Sequence, residues 1–249
     1  MKTIIVVPCY NESKRLHQEE FVQFVENHDD IEFLFANDGS RDNTIEVLQT
    51  LCSRHPRLHL LDIQPNGGKA EAVRKGMLYA AETFNPDNIA FWDADLATPL
   101  FEIPHMLEWM SGQAHPEGKP YDIVMGLRLM RLGAMVRRKK LRHYLGRCFA
   151  TCASMTLDLP VYDTQCGAKI FSTQVVRDIF TDTFTTRWLF DVELLARYKQ
   201  RYGHTASCEK IYEYPLFQWI DVDGSQLKSR DFFKAPMELL KIKKRYGMK

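Results

Sequence analysis

The chain has 249 residues, a length that suits one α/β domain with a C-terminal elaboration better than two domains. Its formal net charge of +1 gives no overall attraction to nucleic acid, and its six cysteines show no CxxC pair or other metal-ligand spacing. We therefore expect no nucleic-acid partner, no zinc site and no disulfide framework. No apolar run approaches the roughly 20 residues that span a bilayer, and we expect the protein to stay on the cytosolic side.

Short runs rich in β-branched and aromatic residues predict five strands in the first half of the chain. These runs are residues 3–7, 31–36, 58–63, 89–92 and 123–127. Apolar residues at helical spacing separate most of them, for example Val73, Met77 and Phe84 after the third run. Strands that alternate with helices predict an α/β fold with a mainly parallel central sheet and helices on both faces.

Polar or glycine-containing segments follow four consecutive predicted strands. They are Pro8-Cys9-Tyr10-Asn11-Glu12, Asn37-Asp38-Gly39-Ser40, Asn66-Gly67-Gly68-Lys69 and Asp93-Ala94-Asp95. Ligands of open α/β sheets bind beyond the carboxyl ends of the strands, so we expect these segments to form one site. The sequence lacks a GxGxxG after the first strand and any GxxxxGK[ST], which disfavours a Rossmann dehydrogenase and a P-loop kinase.

Asp93 and Asp95 place two carboxylates one residue apart at the end of an apolar strand. Hard oxygen ligands of this kind suit Mg²⁺ or Mn²⁺, which can bridge to a diphosphate. A D-x-D pair can also be simple surface solvation. The buried strand before the pair and the other polar strand ends favour the metal site.

Asp38 lies in a turn in which Gly39 permits an unusual backbone angle. A plain turn explains Gly39 but not Asp38, which we predict to contact the base or ribose of a nucleotide. Lys69 follows a flexible glycine pair and is predicted to lie beside a diphosphate, the alternative being a solvated lysine that opens a helix.

Four segments, PCYNE, NDGS, NGGKAEAVRKG and DADLATP, resemble in order and spacing the nucleotide-binding half of glycosyltransferase family 2. Three later motifs resemble the branch of dolichyl-phosphate glucosyltransferases and dolichyl-phosphate mannose synthases. They are DTQCGAKIF (163–171), RWLFDVELL (187–195) and DVDGSQLK (221–228). This resemblance covers nearly the whole chain and implies a GT-A fold. We expect a single domain, with residues 1–127 as the nucleotide-binding half and residues 128–249 as the acceptor-binding half.

The resemblance also implies a reaction. A hexose would pass with inversion from a nucleotide-diphosphate sugar, UDP-glucose or GDP-mannose, to a polyprenyl-phosphate acceptor, with Mg²⁺ or Mn²⁺ as cofactor. Ala97 stands where mannose synthases often have Gln, which is closer to the glucosyl branch. Ala168 departs from that branch, which usually has a bulky aromatic residue at this position.

Carried over motif by motif, the resemblance gives roles to individual residues. The base and ribose pocket would be formed by Pro8, Tyr10, Glu12 and Asp38. Lys69 would lie near the nucleotide, Arg128 near the phosphates, and the metal would be held by Asp93 and Asp95.

Two further carboxylates are candidates for a general base. A hydroxyl acceptor would need one, and Asp191 or Asp163 could serve, whereas a phosphate acceptor is already an anionic nucleophile that needs mainly positioning. Asp191 could instead cap a helix. Gln165 and Lys169 could face the sugar or phosphate, or could belong to a turn and a solvated strand edge.

A basic segment without any acidic residue runs from Ile123 to Leu157. Its basic residues are Arg128, Arg131, Arg137, Arg138, Lys139, Lys140, Arg142 and Arg147. The apolar residues between them predict one or two amphipathic helices from Arg131 to Leu157 that bind an anionic membrane surface, although they could also pack on the core. We therefore expect a cytoplasmic enzyme that is peripheral on the cytosolic membrane face.

Three other functions are compatible with parts of this pattern: transfer to a soluble or saccharide hydroxyl, nucleotidyl transfer, and sugar-nucleotide binding by a decayed site. Nucleotidyltransferases usually have a glycine-rich loop with Arg and Lys after the first strand, where this chain has PCYNESKR. The intact Asp93 and Asp95 pair argues against decay.

Overall fold

The structure is a computed structural model that describes residues 1–137, 140–222 and 229–248, with the backbone alone for residues 140–143 and 229–233. Arg138 and Lys139 of the basic segment lie outside the described residues, as do residues 223–228 of the DVDGSQLK motif.

Strands from both halves of the chain form one central sheet. The strands of the described residues are β1 (Thr3–Cys9), β2 (Ile31–Asp38), β3 (Leu58–Ile63), β4 (Asn88–Trp92), β5 (Ile123–Leu127), β6 (Met135–Arg137), β7 (Ala168–Ser172), β8 (Ile211–Pro215) and β9 (Gln218–Ile220). Seven of them lie in the order β3-β2-β1-β4-β7-β5-β8, and β6 pairs separately with β9. All pairs are parallel except those of β7, which is antiparallel to β4 and β5.

Helices cover both faces of this sheet. They are α1 (Gln18–Glu26), α2 (Thr44–Ser53), α3 (Lys69–Thr83), α4 (Glu102–Met110), α5 (Lys140–Leu157), α6 (Thr173–Ile179), α7 (Phe190–Lys210) and α8 (Ser229–Arg245). Alternate residues of β1 point to opposite faces. Ile5 therefore belongs to a buried cluster with α1, α2 and α4, and Ile4 to another with α3, α6 and α7. A third cluster joins α5, α7 and α8.

The predicted α/β architecture is confirmed, and all five predicted strands are present with bounds that differ by at most two residues at either end. The sequence did not predict the antiparallel β7. The helix expected from Arg131 onward is wrong in its first part, because Met135–Arg137 forms β6, where the Met135 amide donates to the carbonyl of Phe217 at 2.7 Å. Among the described residues, no helix combines the length and the apolar character needed to cross a membrane.

Glu102, at the start of α4, holds the connection between β8 and β9. Its side chain is buried, and one carboxylate oxygen accepts hydrogen bonds from the backbone amides of Phe217 and Gln218, both at 2.8 Å. Trp219 follows directly and forms part of the wall of the cavity described below.

We expect the Glu102→Ala variant to lower the free energy of unfolding by about 1–3 kcal/mol, because it leaves partly buried amide donors without their acceptor. Urea denaturation measures the loss. Glu108→Ala is the matched control, since Glu108 lies exposed on the same helix. Equal stability of the two variants would show that the contact contributes nothing.

Candidate active site

A cavity of about 940 Å³ opens where β1, β2, β4 and β5 end, and α5, the start of α7 and β9 complete its wall. Among the described residues, its acidic lining side chains are Glu12, Asp38, Asp93, Asp95, Asp163, Asp191 and Asp221, and its basic ones are Arg15, Lys69, Arg128, Arg147 and Arg187. Eleven of the twelve site residues predicted from the sequence line this cavity: Pro8, Tyr10, Glu12, Asp38, Lys69, Asp93, Asp95, Arg128, Asp163, Gln165 and Asp191. The structure thus brings them together, and their individual roles stay predictions.

The carboxylates of Asp93 and Asp95 are the candidate metal ligands. Lys69, the first residue of α3, reaches Asp93 Oδ1 with its Nζ at 2.5 Å, and Asp95 Oδ1 accepts the Ala97 amide at 3.1 Å. Burial, followed by the negative charge of Asp93, raises the pKa of Asp95. Two repelling carboxylates with hard oxygens fit a divalent cation, which would relieve the repulsion.

Within the described chain, no group of three or more His, Cys, Asp and Glu side chains is arranged to hold a metal ion. A cation held by Asp93 and Asp95 would take further ligands from water or from a bound substrate. Oxygens of a diphosphate are suitable ligands for this purpose.

Gly167 allows Asp93 to take its position, and sequence reasoning gave this glycine no role. The Gly167 carbonyl accepts the Asp93 amide at 3.0 Å, and a Cβ on Gly167 would lie 2.0 Å from Asp93 Oδ2. Any side chain at this position would displace the carboxylate. The only signal in the sequence was a glycine inside the DTQCGAKIF motif.

Asp38 holds the loop that precedes α3. Its side chain accepts the amides of Gly67 at 2.8 Å and Gly68 at 2.7 Å, and Oδ2 also accepts from Asn66 Nδ2 at 2.9 Å. Gly39 has a φ of 59°, and a Cβ there would meet the Asn66 amide nitrogen at 2.8 Å. Asp38 therefore positions the segment that leads to Lys69, in addition to the nucleotide contact that remains predicted.

Asp163 and Arg128 form a bidentate ion pair. Asp163 Oδ2 accepts from Arg128 Nε and Oδ1 from Arg128 Nη2, both at 2.7 Å, and the Arg128 amide donates to Oδ2 at 3.1 Å. Both carboxylate oxygens thus accept hydrogen bonds from Arg128 and fix its side chain at the end of β5. This geometry favours a positioning role for Asp163 over that of a general base.

Asp191 is the better placed of the two base candidates. It lies in the first turn of α7 and lines the cavity, and burial raises its pKa although the charges of Lys169 and Lys69 oppose the shift. Its Oδ1 accepts from Lys169 Nζ at 2.5 Å. A carboxylate with a raised pKa is suited to accept a proton.

Lys169 departs from its predicted place. Its side chain is 1% exposed, does not line the cavity, and donates to the Cys166 carbonyl at 2.6 Å as well as to Asp191. The residue lies on a strand between β4 and β5 rather than at a solvated edge. Lys169 therefore contacts the cavity wall through Asp191.

Aromatic and hydroxyl side chains of the cavity were also missed by the sequence reasoning. Arg147 lies 3.2 Å above the ring centroid of Tyr162, and Arg128 lies 5.3 Å from that of Trp219. Thr164 Oγ1 and Gln165 Nε2 are buried without a hydrogen-bond partner in the described part of the chain. Thr164 and Gln165 both line the cavity, so their unused hydrogen-bonding capacity lies in its wall.

A comparison with protein-family models shows to which family the chain belongs. The model described as glycosyl transferase family 2 matches residues 4–180. The chain belongs to glycosyltransferase family 2. It is therefore a glycosyltransferase, as the motifs predicted.

Curated relatives of this glycosyltransferase support the predicted branch. The dolichyl-phosphate beta-glucosyltransferase ALG5C of Trichomonas vaginalis is 32% identical over 249 residues, which cover 96% of this chain and 70% of the relative. The dolichyl-phosphate beta-glucosyltransferase of Drosophila melanogaster is 32% identical over 235 residues, covering 90% and 68%. The dolichyl-phosphate beta-glucosyltransferase of Saccharomyces cerevisiae is 27% identical over 259 residues, which cover 97% of this chain and 74% of the relative.

Solved structures support the fold. Glucosyl-3-phosphoglycerate synthase from Mycobacterium tuberculosis, in complex with Mn²⁺, UDP-glucose and phosphoglyceric acid, aligns with a TM-score of 0.67 at 16% identity, covering 100% of this chain and 80% of the other. The complex of the same enzyme with Mn²⁺, UDP and glucosyl-3-phosphoglycerate aligns with a TM-score of 0.65 at 16% identity, covering 98% and 79%. The predicted GT-A fold of this glycosyltransferase is confirmed.

The Gly167→Ala variant tests whether the glycosyltransferase needs close contact between Gly167 and Asp93. We expect the turnover number to fall by about 100-fold, since a displacement near 1 Å at a reacting centre has effects of this size. Nucleotide release measures turnover, and the melting temperature reports on the fold.

Gly118→Ala is the control for this variant. Gly118 has a φ of 68° and an added Cβ would meet nothing within 4 Å, so this change strains the backbone without touching the cavity. Full activity of Gly167→Ala would show that Asp93 tolerates displacement.

Proposed function

We propose that this enzyme transfers glucose, with inversion, from UDP-glucose to a polyprenyl-phosphate acceptor in a reaction that depends on Mg²⁺ or Mn²⁺. The observation that carries the proposal is the Asp93 and Asp95 pair at the end of β4, which lines a cavity that also contains Lys69 and Arg128. The names of the curated relatives support the glucosyl group and the lipid-phosphate acceptor.

The donor diphosphate would lie at the β1, β2 and β4 side of the cavity. Mg²⁺ or Mn²⁺ held by Asp93 and Asp95 would neutralise the charge that develops on the departing diphosphate. Lys69, which contacts Asp93 at 2.5 Å, is close enough to bind a phosphate oxygen beside the cation. Arg128, fixed by Asp163, supplies a second positive charge whose orientation is set before the donor binds.

The sugar would lie between the diphosphate and the start of α7. Thr164 and Gln165 line the cavity, and a change of rotamer would bring Oγ1 and Nε2, which have no partner among the described residues, to the hydroxyl groups of the sugar. A phosphate acceptor is itself the nucleophile, so Asp191 would orient the sugar or acceptor rather than remove a proton.

A hydroxyl acceptor is the second candidate. The raised pKa of Asp191 and its place in the cavity wall favour it, because attack by a hydroxyl requires a general base. Glucosyl-3-phosphoglycerate synthase, which shares the fold, has phosphoglyceric acid, a soluble molecule with a hydroxyl group, in its structure. Turnover measured with a lipid phosphate and with soluble hydroxyl acceptors distinguishes the two candidates, because each predicts higher turnover with its own acceptor.

We expect Asp95→Ala to lower turnover by about 100-fold or more while the melting temperature changes little, since the transition-state charge loses its cation. UDP release in Mn²⁺ measures the effect. Asp29→Ala, at a side chain that is 98% exposed, is the control. Stabilisation by UDP-glucose should require Mn²⁺ in the wild type and be absent in Asp95→Ala, and retained transfer in Asp95→Ala would rule out the metal assignment.

We also propose that the enzyme works on the cytosolic face of a membrane. Met130 and Tyr144 line the cavity yet are 51% and 68% exposed, so the mouth of the cavity presents apolar groups to the outside. Leu132, on the β5–β6 connection, is 99% exposed, and Arg131 lies 5.4 Å from the exposed ring of Phe217. Exposed apolar residues next to cations are typical of surfaces that rest on anionic lipid.

Binding to anionic liposomes tests this placement. Basic residues near such a surface contribute on the order of 1 kcal/mol each, so changing Arg137, Arg138, Lys139 and Lys140 to Gln should release most of the protein in co-sedimentation at low salt. The matched control changes Arg54, Lys75, Lys119 and Arg201, which lie on other parts of the fold, to Gln. High salt should release the wild type as well. Equal binding of the two variants, or no binding of the wild type, would refute the membrane placement.

A further inference from the structure

Arg187 differs from the other cations of the cavity. Arg15 pairs with Glu12, Lys69 with Asp93, and Arg128 with Asp163, while Arg147 stacks on Tyr162 and donates to its carbonyl. Arg187 lines the same cavity with an exposed side chain and makes no hydrogen bond or ion pair within the residues that the structure describes. It is therefore a cation available for an anionic ligand.

The position of Arg187 is on the α5 and α7 side of the cavity. It lies in the connection between α6 and α7, three residues before Phe190 opens α7. The next residue, Trp188, packs on Phe149 of α5 with ring centroids 5.7 Å apart. Tyr144 and Arg147 of α5 face the same cavity. These wall residues come from α5 and the segment before α7, whereas the nucleotide is predicted to bind at the ends of β1 and β2.

Two buried charges hold the backbone that leads to Arg187. Glu193, which is 0% exposed, accepts the amides of Thr185 at 2.8 Å and Thr186 at 3.3 Å. Arg197 donates to the carbonyls of Asp182 and Thr183, both at 2.8 Å, and to Glu193 at 3.0 Å.

Tyr246, just beyond α8, completes this group with a hydrogen bond of 2.7 Å to Glu193. The hydrogen-bonded charges fix the connection between α6 and α7 instead of leaving it as a free loop. Arg187 consequently extends from a rigid support, which lowers the entropy cost of binding through its guanidinium.

We propose that Arg187 binds the phosphate of the acceptor and thereby selects phosphate monoesters over neutral acceptors. The proposal rests on the proposed function in one respect, that the acceptor carries a phosphate. The guanidinium is planar and can donate two parallel hydrogen bonds to a phosphate, which an ammonium cannot do. The donor diphosphate has Lys69, Arg128 and the Asp93–Asp95 site on its side of the cavity, which leaves Arg187 for the second anion.

Steady-state kinetics of Arg187→Gln test this assignment. The acceptors are a short-chain, water-soluble prenyl phosphate, so that membrane binding does not enter, and 3-phosphoglycerate as a soluble phosphate monoester. For whichever phosphate the wild type uses, the acceptor KM should rise by about ten- to a hundredfold, as expected for loss of a charged hydrogen-bonding group. The donor KM should stay unchanged. Arg187→Lys keeps the positive charge but loses the two parallel hydrogen bonds of the guanidinium, so its acceptor KM should lie between those of the wild type and Arg187→Gln.

Arg201→Gln is the control, because Arg201 is exposed on α7 away from the cavity and its side chain is 64% accessible. An acceptor KM in Arg187→Gln equal to that of the control would overturn the assignment of Arg187 and leave the proposed function intact. A rise in the donor KM alone would move Arg187 to the donor side and overturn the assignment as well. Transfer by the wild type to 3-phosphoglycerate but not to prenyl phosphate would refute the lipid acceptor. In that case the KM of Arg187→Gln for 3-phosphoglycerate would still test the role of Arg187. Transfer to neither phosphate would refute both.

Discussion

The rest of this structure depends on one constraint, the seven carboxylates that line one cavity within the described part of the chain. A buried or half-buried carboxylate is costly unless a cation or a hydrogen-bond donor compensates its charge. The chain supplies those partners from distant segments. Arg128 and Asp163 join the end of β5 to the segment before β7, and Lys169 and Asp191 join β7 to α7.

These pairs also divide the cavity into regions with different chemistry. Near β4, the negative charge of Asp93 raises the pKa of Asp95, and this is the pair that we propose to hold the divalent cation. Near β5, the charge of Asp163 is fully committed to Arg128, so that the arginine is fixed before any substrate arrives. Near α7, Arg187 stands outside these pairs. In the proposed reaction, one wall of this cavity binds the metal-bound diphosphate and another wall binds the phosphate of the acceptor.

The parts of the fold that depend on local pattern could be predicted from the sequence. Strands β1 to β5 follow from β-branched and aromatic runs, and the shared site follows from the rule that ligands bind beyond the strand ends. Asp93 and Asp95 are predicted for this reason, since they follow the end of β4, whereas the role of Arg128 comes from the family resemblance.

Features that depend on pairing between distant segments could not be predicted in the same way. Lys169 was assigned to the substrate because the sequence does not show that β7 lies between β4 and β5, where its lysine is buried against Asp191. Gly167 had no role until its contact with Asp93 was visible, 74 residues along the chain. The RWLFDVELL motif contains Arg187 but does not indicate its role, which follows from the pairing of the other cavity cations.

The product of the reaction tests the central claim most directly. Purified enzyme would be incubated with UDP-glucose, a polyprenyl phosphate and Mn²⁺, and the lipid fraction examined by NMR at the anomeric proton. Inverting transfer from the α-linked donor predicts a β-glucosyl phosphate lipid, formed in equal amount with UDP and lost when the metal is chelated. An α-linked product, or no glucosyl lipid from folded protein that binds the donor, would contradict the account.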